Sequence, residues 1–258
     1  GWGLHPVDEV LRKDSSAKLR SIPVRLLFDD PDLSLRAKYT LFERTTGRPL
    51  CVGDGESCRR VTSSGMQSLP CPAPHACSLA VAGACKPYGR LHVRIDAGSK
   101  AGNESGNEVG CDELGSFVFR TTGFNSIRTL LARLHYFHAV SGGLLATLPL
   151  ELRLRGKSTA MSHRAPIYYV DLTLRDGTNL KDAISSAKQM DEQSKTAGFY
   201  QEALDHVARQ GYGNACFEVG GEEGLDIVEE FYSDESRQEQ SQQMHDLSHV
   251  QDIQKGLQ

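Results

Sequence analysis

Five of the seven cysteines fall in one short stretch, at Cys51, Cys58, Cys71, Cys77 and Cys85, with spacings C-x6-C-x12-C-x5-C-x7-C. The residues between them, ESCRRVTSSGMQSLPCPAPHACSLAVAGACKP, are rich in Pro, Gly and Ser and lack a regular apolar period. About 30 residues of that composition cannot hold themselves together by burial. An odd cysteine count argues against a disulfide framework and favours a reduced, cytoplasmic chain. A tetrahedral zinc ion is then the expected clasp, because a structural zinc site supplies folding free energy directly. Cys58, Cys71, Cys77 and Cys85 are the expected ligands. His75 is able to replace one of them, and buried free thiols are the competing reading. Cys51 follows the apolar run Pro49-Leu50 and reads as a packed strand end. Cys111 and Cys216 stand alone and read as packing residues. Four thiolates close the coordination shell, so such a zinc is structural rather than catalytic.

Around this stretch the chain alternates. Ile22, Val24, Leu26 and Phe28 predict a strand broken by the Asp29-Asp30-Pro31-Asp32 run. Leu33, Leu35, Ala37, Tyr39 and Leu41 predict a second strand with Arg36, Lys38 and Thr40 on its other face. Leu91, Val93 and Ile95 alternate with Arg90, His92 and Arg94. Phe117 and Phe119 mark another strand, and Leu148 to Leu154 and Tyr168 to Leu174 give two more of strict period 2. Residues 125–141 carry Ile127, Leu130, Leu131, Leu134 and His138 at helical spacing, with Asn125 or Ser126 as the expected cap and Gly142-Gly143 as the stop. Residues 4–19 suggest a further short helix. The expected fold is α+β: a curved, mostly antiparallel sheet with one packed helix, a zinc-stabilised cysteine loop and a C-terminal αα-hairpin. The expected division is a core over 1–175, a helical hairpin over 176–211 and an acidic, flexible tail over 212–258.

The formal net charge of −4 hides a split. Residues 1–175 carry 23 Lys and Arg against 16 Asp and Glu, a net +7, while residues 176–258 carry 6 against 17, a net −11. A basic body with an acidic appendage points to a polyanion partner. The cations opposite the apolar strand faces are the expected DNA contacts: Arg36, Lys38, Arg90, Arg94, Arg153 and Arg155, joined by Arg120, Arg128 and Lys157. Interleaved Phe, Tyr and His could stack on unpaired bases. The competing reading is an ordinary solvated sheet face.

Catalytic patterns fail. Gly156-Lys157-Ser158-Thr159 lacks the upstream glycine of a phosphate loop, because position 151 is Glu151. No Gly-x-Ser-x-Gly elbow occurs. His135 and His138 have neither a Glu-x-x-His context nor a third ligand, and Asp29 and Asp30 read as turn caps. The chain is therefore expected to be no enzyme and to take no small-molecule substrate. It is also too polar to span a membrane, with 39% hydrophobic and 24% charged residues and no long apolar run.

Two segments carry a family resemblance. CPAPHACSLAVAGACKPYGRLHVRI (71–95) has the shape C-P…C…C-K-P-x-x-R-L-x-V, and LGSFVFRTTGFNSIRTLLARL (114–134) runs from a Gly-aromatic strand through a Gly turn into a helix. In that order they resemble the phage recombination directionality factors that partner large serine integrases. They are closer still to prophage and integrative-element relatives labelled only as hydrolase or metal-binding protein. SIPVRLLFDDPDLSLRAKY, LPLELRLRGKST and HRAPIYYVDL extend the likeness over about residues 1–175. The resemblance implies a zinc-stabilised accessory protein of DNA recombination that binds its integrase and switches it from integration to excision. A single-strand DNA-binding or annealing helper, and a module that blocks a host protein, are the alternatives.

Overall fold

A computed structural model describes residues 6–12, 18–96, 116–158, 166–211 and 221–232. The strands are β1 (Ser21–Leu26), β2 (Leu35–Phe42), β3 (Pro49–Gly53), β4 (Ser57–Thr62), β5 (Gly65–Pro70), β6 (Cys85–Ile95), β7 (Phe117–Thr121), β8 (Leu150–Lys157) and β9 (Ile167–Leu174). The helices are α1 (Pro6–Leu11), α2 (Pro31–Ser34), α3 (Phe124–Ser141), α4 (Leu180–Thr196), α5 (Gln201–Gly211) and α6 (Gly221–Phe231). Among the described residues the nine strands share one sheet in the order β5-β4-β3-β2-β6-β1-β8-β9, with β7 paired to β6. The registers of β1 with β6 and β8, β3 with β2 and β4, β4 with β5, β6 with β7, and β8 with β9 are all antiparallel. The α+β class and the mostly antiparallel sheet are thus as expected from the alternation. Among the described residues no helix is long and apolar enough to cross a membrane.

The chain gathers into two units, residues 1–37 with 89–210 and residues 38–88 with 211–258. In the first, period-2 strands bury one face: Val24 and Leu26, Leu91 and Val93, Leu150 and Leu172 meet Leu130, Leu134 and Phe137 of α3. Burying a side chain of this size contributes about 1.5–3 kcal/mol, which is why the alternation fixes these strands. α3 starts at Gly123, not at the expected Asn125 or Ser126. Those two side chains turn to the sheet instead. Ser126 Oγ accepts the Val170 N–H at 3.1 Å, and Asn125 Oδ1 accepts from Lys157 Nζ at 2.8 Å. At the other end, Gly142 closes the helix at φ 70°, a left-handed conformation that glycine adopts without strain.

The Asp-rich turn after β1 is built as a cap. Asp30 accepts the Asp32 N–H at 2.8 Å and starts α2. The buried carboxylate of Asp205, on α5, accepts the N–H groups of both Asp29 (3.1 Å) and Asp30 (3.0 Å). Gln201 donates to Leu27 O, and Arg209 pairs with Asp30. α4 and α5 fall where the sequence places two helices, with Gly198 between them at φ 86°. The hydrogen bonds that seat α5 run to residues 27–30, from its polar side, leaving Tyr200, Leu204 and Val207 exposed.

The second unit departs most from expectation. Half of the cysteine stretch is regular structure: β3, β4 and β5 form an antiparallel meander, followed by short 3-10 turns at Pro74–Ala76 and Val81–Gly83. Main-chain pairing needs no apolar side chains, so composition gives little sign of it. In β2 Leu35 is buried as expected, but at the far end the buried residues are Thr40 and Phe42, the face opposite to the one expected to bury Tyr39 and Leu41. Residues 221–231, read from sequence as part of a flexible tail, form α6. Ile227 and Phe231 bury against Phe42 and Tyr88. Gly47 and Gly224 let helix and turn approach closely, since a Cβ on Gly47 would overlap the Gly224 backbone. Residues 233–258, the rest of the expected tail, lie outside the described residues, as do Cys111, His163, Arg164 and Cys216.

Candidate nucleic-acid interface and cysteine cluster

The face of the first unit opposite its core carries the candidate interface. Arg90, His92 and Arg94 alternate with buried Leu91 and Val93 along β6, so they stand together on the other side. Register then sets like charges side by side: Arg90 lies opposite Arg120 of β7, and Arg94 lies opposite Arg25 of β1. Directly opposed like charges in an antiparallel pair destabilise it. Arg94 Nε is buried and has no hydrogen-bond partner among the described residues. Burial, then Arg90 and Arg36, push the His92 imidazole down to about 4, so it is neutral at pH 7. The positive charge here therefore rests on arginine alone.

Arg25 was not among the expected contacts, although its place between Val24 and Leu26 shows which face it takes. Its guanidinium binds Asp96 (2.9 Å) and Thr147 O (2.8 Å), and Asp96 also accepts from Arg175 at 2.6 Å. The remaining expected cations are dispersed. Arg153 is neutralised by Glu151 and Asp176, and Arg155 by Asp171 at 3.5 Å, which also binds Arg133 at 3.0 Å. Lys38 belongs to the second unit and pairs with Asp54 at 3.2 Å, whose carboxyl is held low mainly by the N–H groups of Ser57 and Glu56. Arg128 and Lys157 stand at the start of α3, beside aromatic rings. Of the nine expected contacts, Arg36, Arg90, Arg94 and Arg120 are the ones that gather around His92. Gly156 and Lys157 lie within β8, so no phosphate loop forms there.

The second unit brings the cysteines into one neighbourhood. Cys51 sits opposite Arg60 in the β3–β4 ladder, and Gly53 sits opposite Cys58. Cys51 and Cys58 touch through hydrogen bonding, and Arg60 leans on both, donating to Cys58 Sγ at 3.8 Å. A Cβ on Gly53 would come within 2.8 Å of both Cys58 Cβ and Cys71 Sγ. Cys71, Cys77 and Cys51 all bear electrostatically on Cys85. Burial is the main cause that pushes the Cys58 thiol up to about 11 and the Cys85 thiol to about 12. The five cysteines carry no disulfide. Among the described residues no group of three or more His, Cys, Asp and Glu converges tightly enough to hold a metal. Thiols are the donors a soft ion takes, and Gly53 leaves room between Cys58 and Cys71, whereas the Arg60 guanidinium beside them is a positive charge that works against a cation. Cys51, expected to be a packing residue, is part of this group, whereas His75 is exposed.

Thus the chain combines an antiparallel sheet, arginine-lined on one face of its first unit, with a cysteine-bearing meander in its second. The family described as Gp3-like, recombination directionality factor-like, matches residues 5–175, and the chain belongs to it. That membership makes it an accessory protein of phage recombination. No curated protein and no solved structure matches the chain.

Proposed function

We propose that this protein is a non-enzymatic directionality factor that binds DNA through the arginine rungs and binds a site-specific recombinase, turning it from integration to excision. The observation that carries the DNA contact is the placing of Arg90 opposite Arg120 and Arg94 opposite Arg25. Such rungs gather cationic side chains on one face of the sheet, and phosphate is the anion that matches them. The recombinase contact rests on the family match. The test is recombination by the large serine integrase encoded in the same element, with and without this protein. The expected result is suppressed integration and activated excision. Unchanged direction in both reactions overturns the reading.

Structural zinc belongs to the same proposal. Cys58, Cys71, Cys77 and Cys85 hold it, and Cys51 is the neighbouring thiol able to exchange into the set. The ion supplies cross-linking, fixing the segment between β5 and β6, and no reaction chemistry. Protein purified without chelator is expected to carry about one zinc per chain, with stripping lowering the melting temperature of the second unit. Metal-free protein of undiminished stability sinks the zinc proposal and leaves the DNA reading standing.

A further inference from the structure

We propose that the first turn of α3 and the adjoining end of the β8–β9 pair form a stacking platform for unpaired bases, built on Phe124 and Tyr168 and edged by Arg128 and Lys157. This rests on the nucleic-acid reading above but uses a different set of residues. Phe124 is 60% exposed and Tyr168 61% exposed, large values for aromatic side chains beside a packed core. The two belong to one locality. Asn125, next to Phe124, accepts from Lys157, and Ser126 accepts the N–H of Val170, two residues from Tyr168. Tyr168 lies opposite Gly156, and a Cβ there would sit 3.4 Å from its ring. The ring thus rests on bare backbone, which steadies it while it remains largely open.

The cations at this place differ from those farther along the same strands. Arg153, Arg155 and Arg133 are taken up by Glu151, Asp171 and Asp176. Arg128 and Lys157 have no carboxylate partner among the described residues. Arg128 lies 5.9 Å from the Phe124 ring centroid, and Lys157 Nζ lies 5.7 Å from that of Tyr169. Rings that offer π faces, alternating with cations that carry no counter-charge, match a chain of bases alternating with phosphates. A duplex hides its base faces, so the occupant is an unpaired strand. Recombination exposes such a strand wherever a duplex is opened or frayed.

The test compares the full chain with Phe124→Ala, Tyr168→Ala and the double variant, using a labelled 12-nucleotide oligothymidine and a duplex of equal length. The expected loss of oligothymidine affinity is about tenfold for each ring removed, with Tyr168→Phe retaining it and duplex affinity unchanged. Both side chains are exposed, so melting temperatures should match and exclude misfolding. Wild-type oligothymidine affinity in the double variant overturns the platform, whatever the duplex result. Equal loss on oligothymidine and duplex overturns it too, by reducing the rings to general support. So does loss of integrase response with oligothymidine binding intact, which makes the patch a protein contact. A chain that binds neither probe overturns the DNA reading itself.

Discussion

Phe231→Ala is expected to unfold the second unit while leaving the first folded. Phe231 is 1% exposed, and its ring meets Phe42 at 4.9 Å, Tyr232 at 4.8 Å and Tyr88 at 5.9 Å between centroids. Buried Lys86 donates to Phe231 O at 2.9 Å and lies 5.4 Å from the ring, and Tyr232 OH donates to Ala84 O at 2.8 Å. One side chain therefore ties the helix to β2 and to β6, the strand that begins at Cys85. Truncating a buried Phe costs about 3–5 kcal/mol, and a core of Phe42, Tyr88, Ile227 and Phe231 has little else to offset it. Hydrogen exchange resolved by segment checks this. Amides of β3 and β4 should lose protection while those of β8 keep it. Uniform protection across both units, or a change under about 1 kcal/mol, would show that α6 is dispensable.

The triple variant Arg90→Gln, Arg94→Gln, Arg120→Gln should lose about a hundredfold in duplex affinity at moderate salt. Its plot of log affinity against log salt should flatten by roughly 3, since each phosphate contact contributes about one unit of slope. The Arg94→Gln step itself should leave stability unchanged, because among the described residues the buried Arg94 Nε has no hydrogen-bond partner to lose. Arg153→Gln and Arg155→Gln serve as the contrast: these residues already sit beside Glu151 and Asp171, so their loss should change affinity little. If all five substitutions weaken binding alike, the sheet acts as a diffuse charge and the rungs have no special part.

Much of the first unit is legible in its residues. Strict alternation through Leu150, Leu152 and Leu172, and the helical period of Ile127, Leu130 and Leu134, can bury only one way, although Phe137 rather than the expected His138 completes the buried stripe. The phase at the end of β2 is not legible, because Tyr39, Thr40, Leu41 and Phe42 are a largely apolar run on both faces, and register depends on what Phe42 meets far along the chain. α6 is hidden for the same reason. Its apolar residues are few and lie among glutamates, and the aromatic partners that bury them are about 140 to 190 residues distant. At the site, facing gives Arg90, Arg94 and Arg120 but not their neighbours. That Arg155 meets Asp171 while Arg90 meets Arg120 follows from strand order and register, which the local pattern does not contain. Cys51 was read as packing because its sequence neighbours are apolar; the β3–β4 ladder adds Arg60 and Cys58 to its surroundings.

The closing of the second unit by α6 also sets a timetable for the newborn chain. Synthesis runs from Phe42 and Tyr88 to Phe231, and at about 5–20 residues per second the wait is roughly 10–30 s. Through that interval the β3–β5 meander has emerged without the aromatic core that completes it. Its thiols are then open to capture by an ion, by an oxidant or by one another. A chain that stops short of Phe231 keeps that unfinished form, so the acidic helix α6 is a keystone, not a tassel.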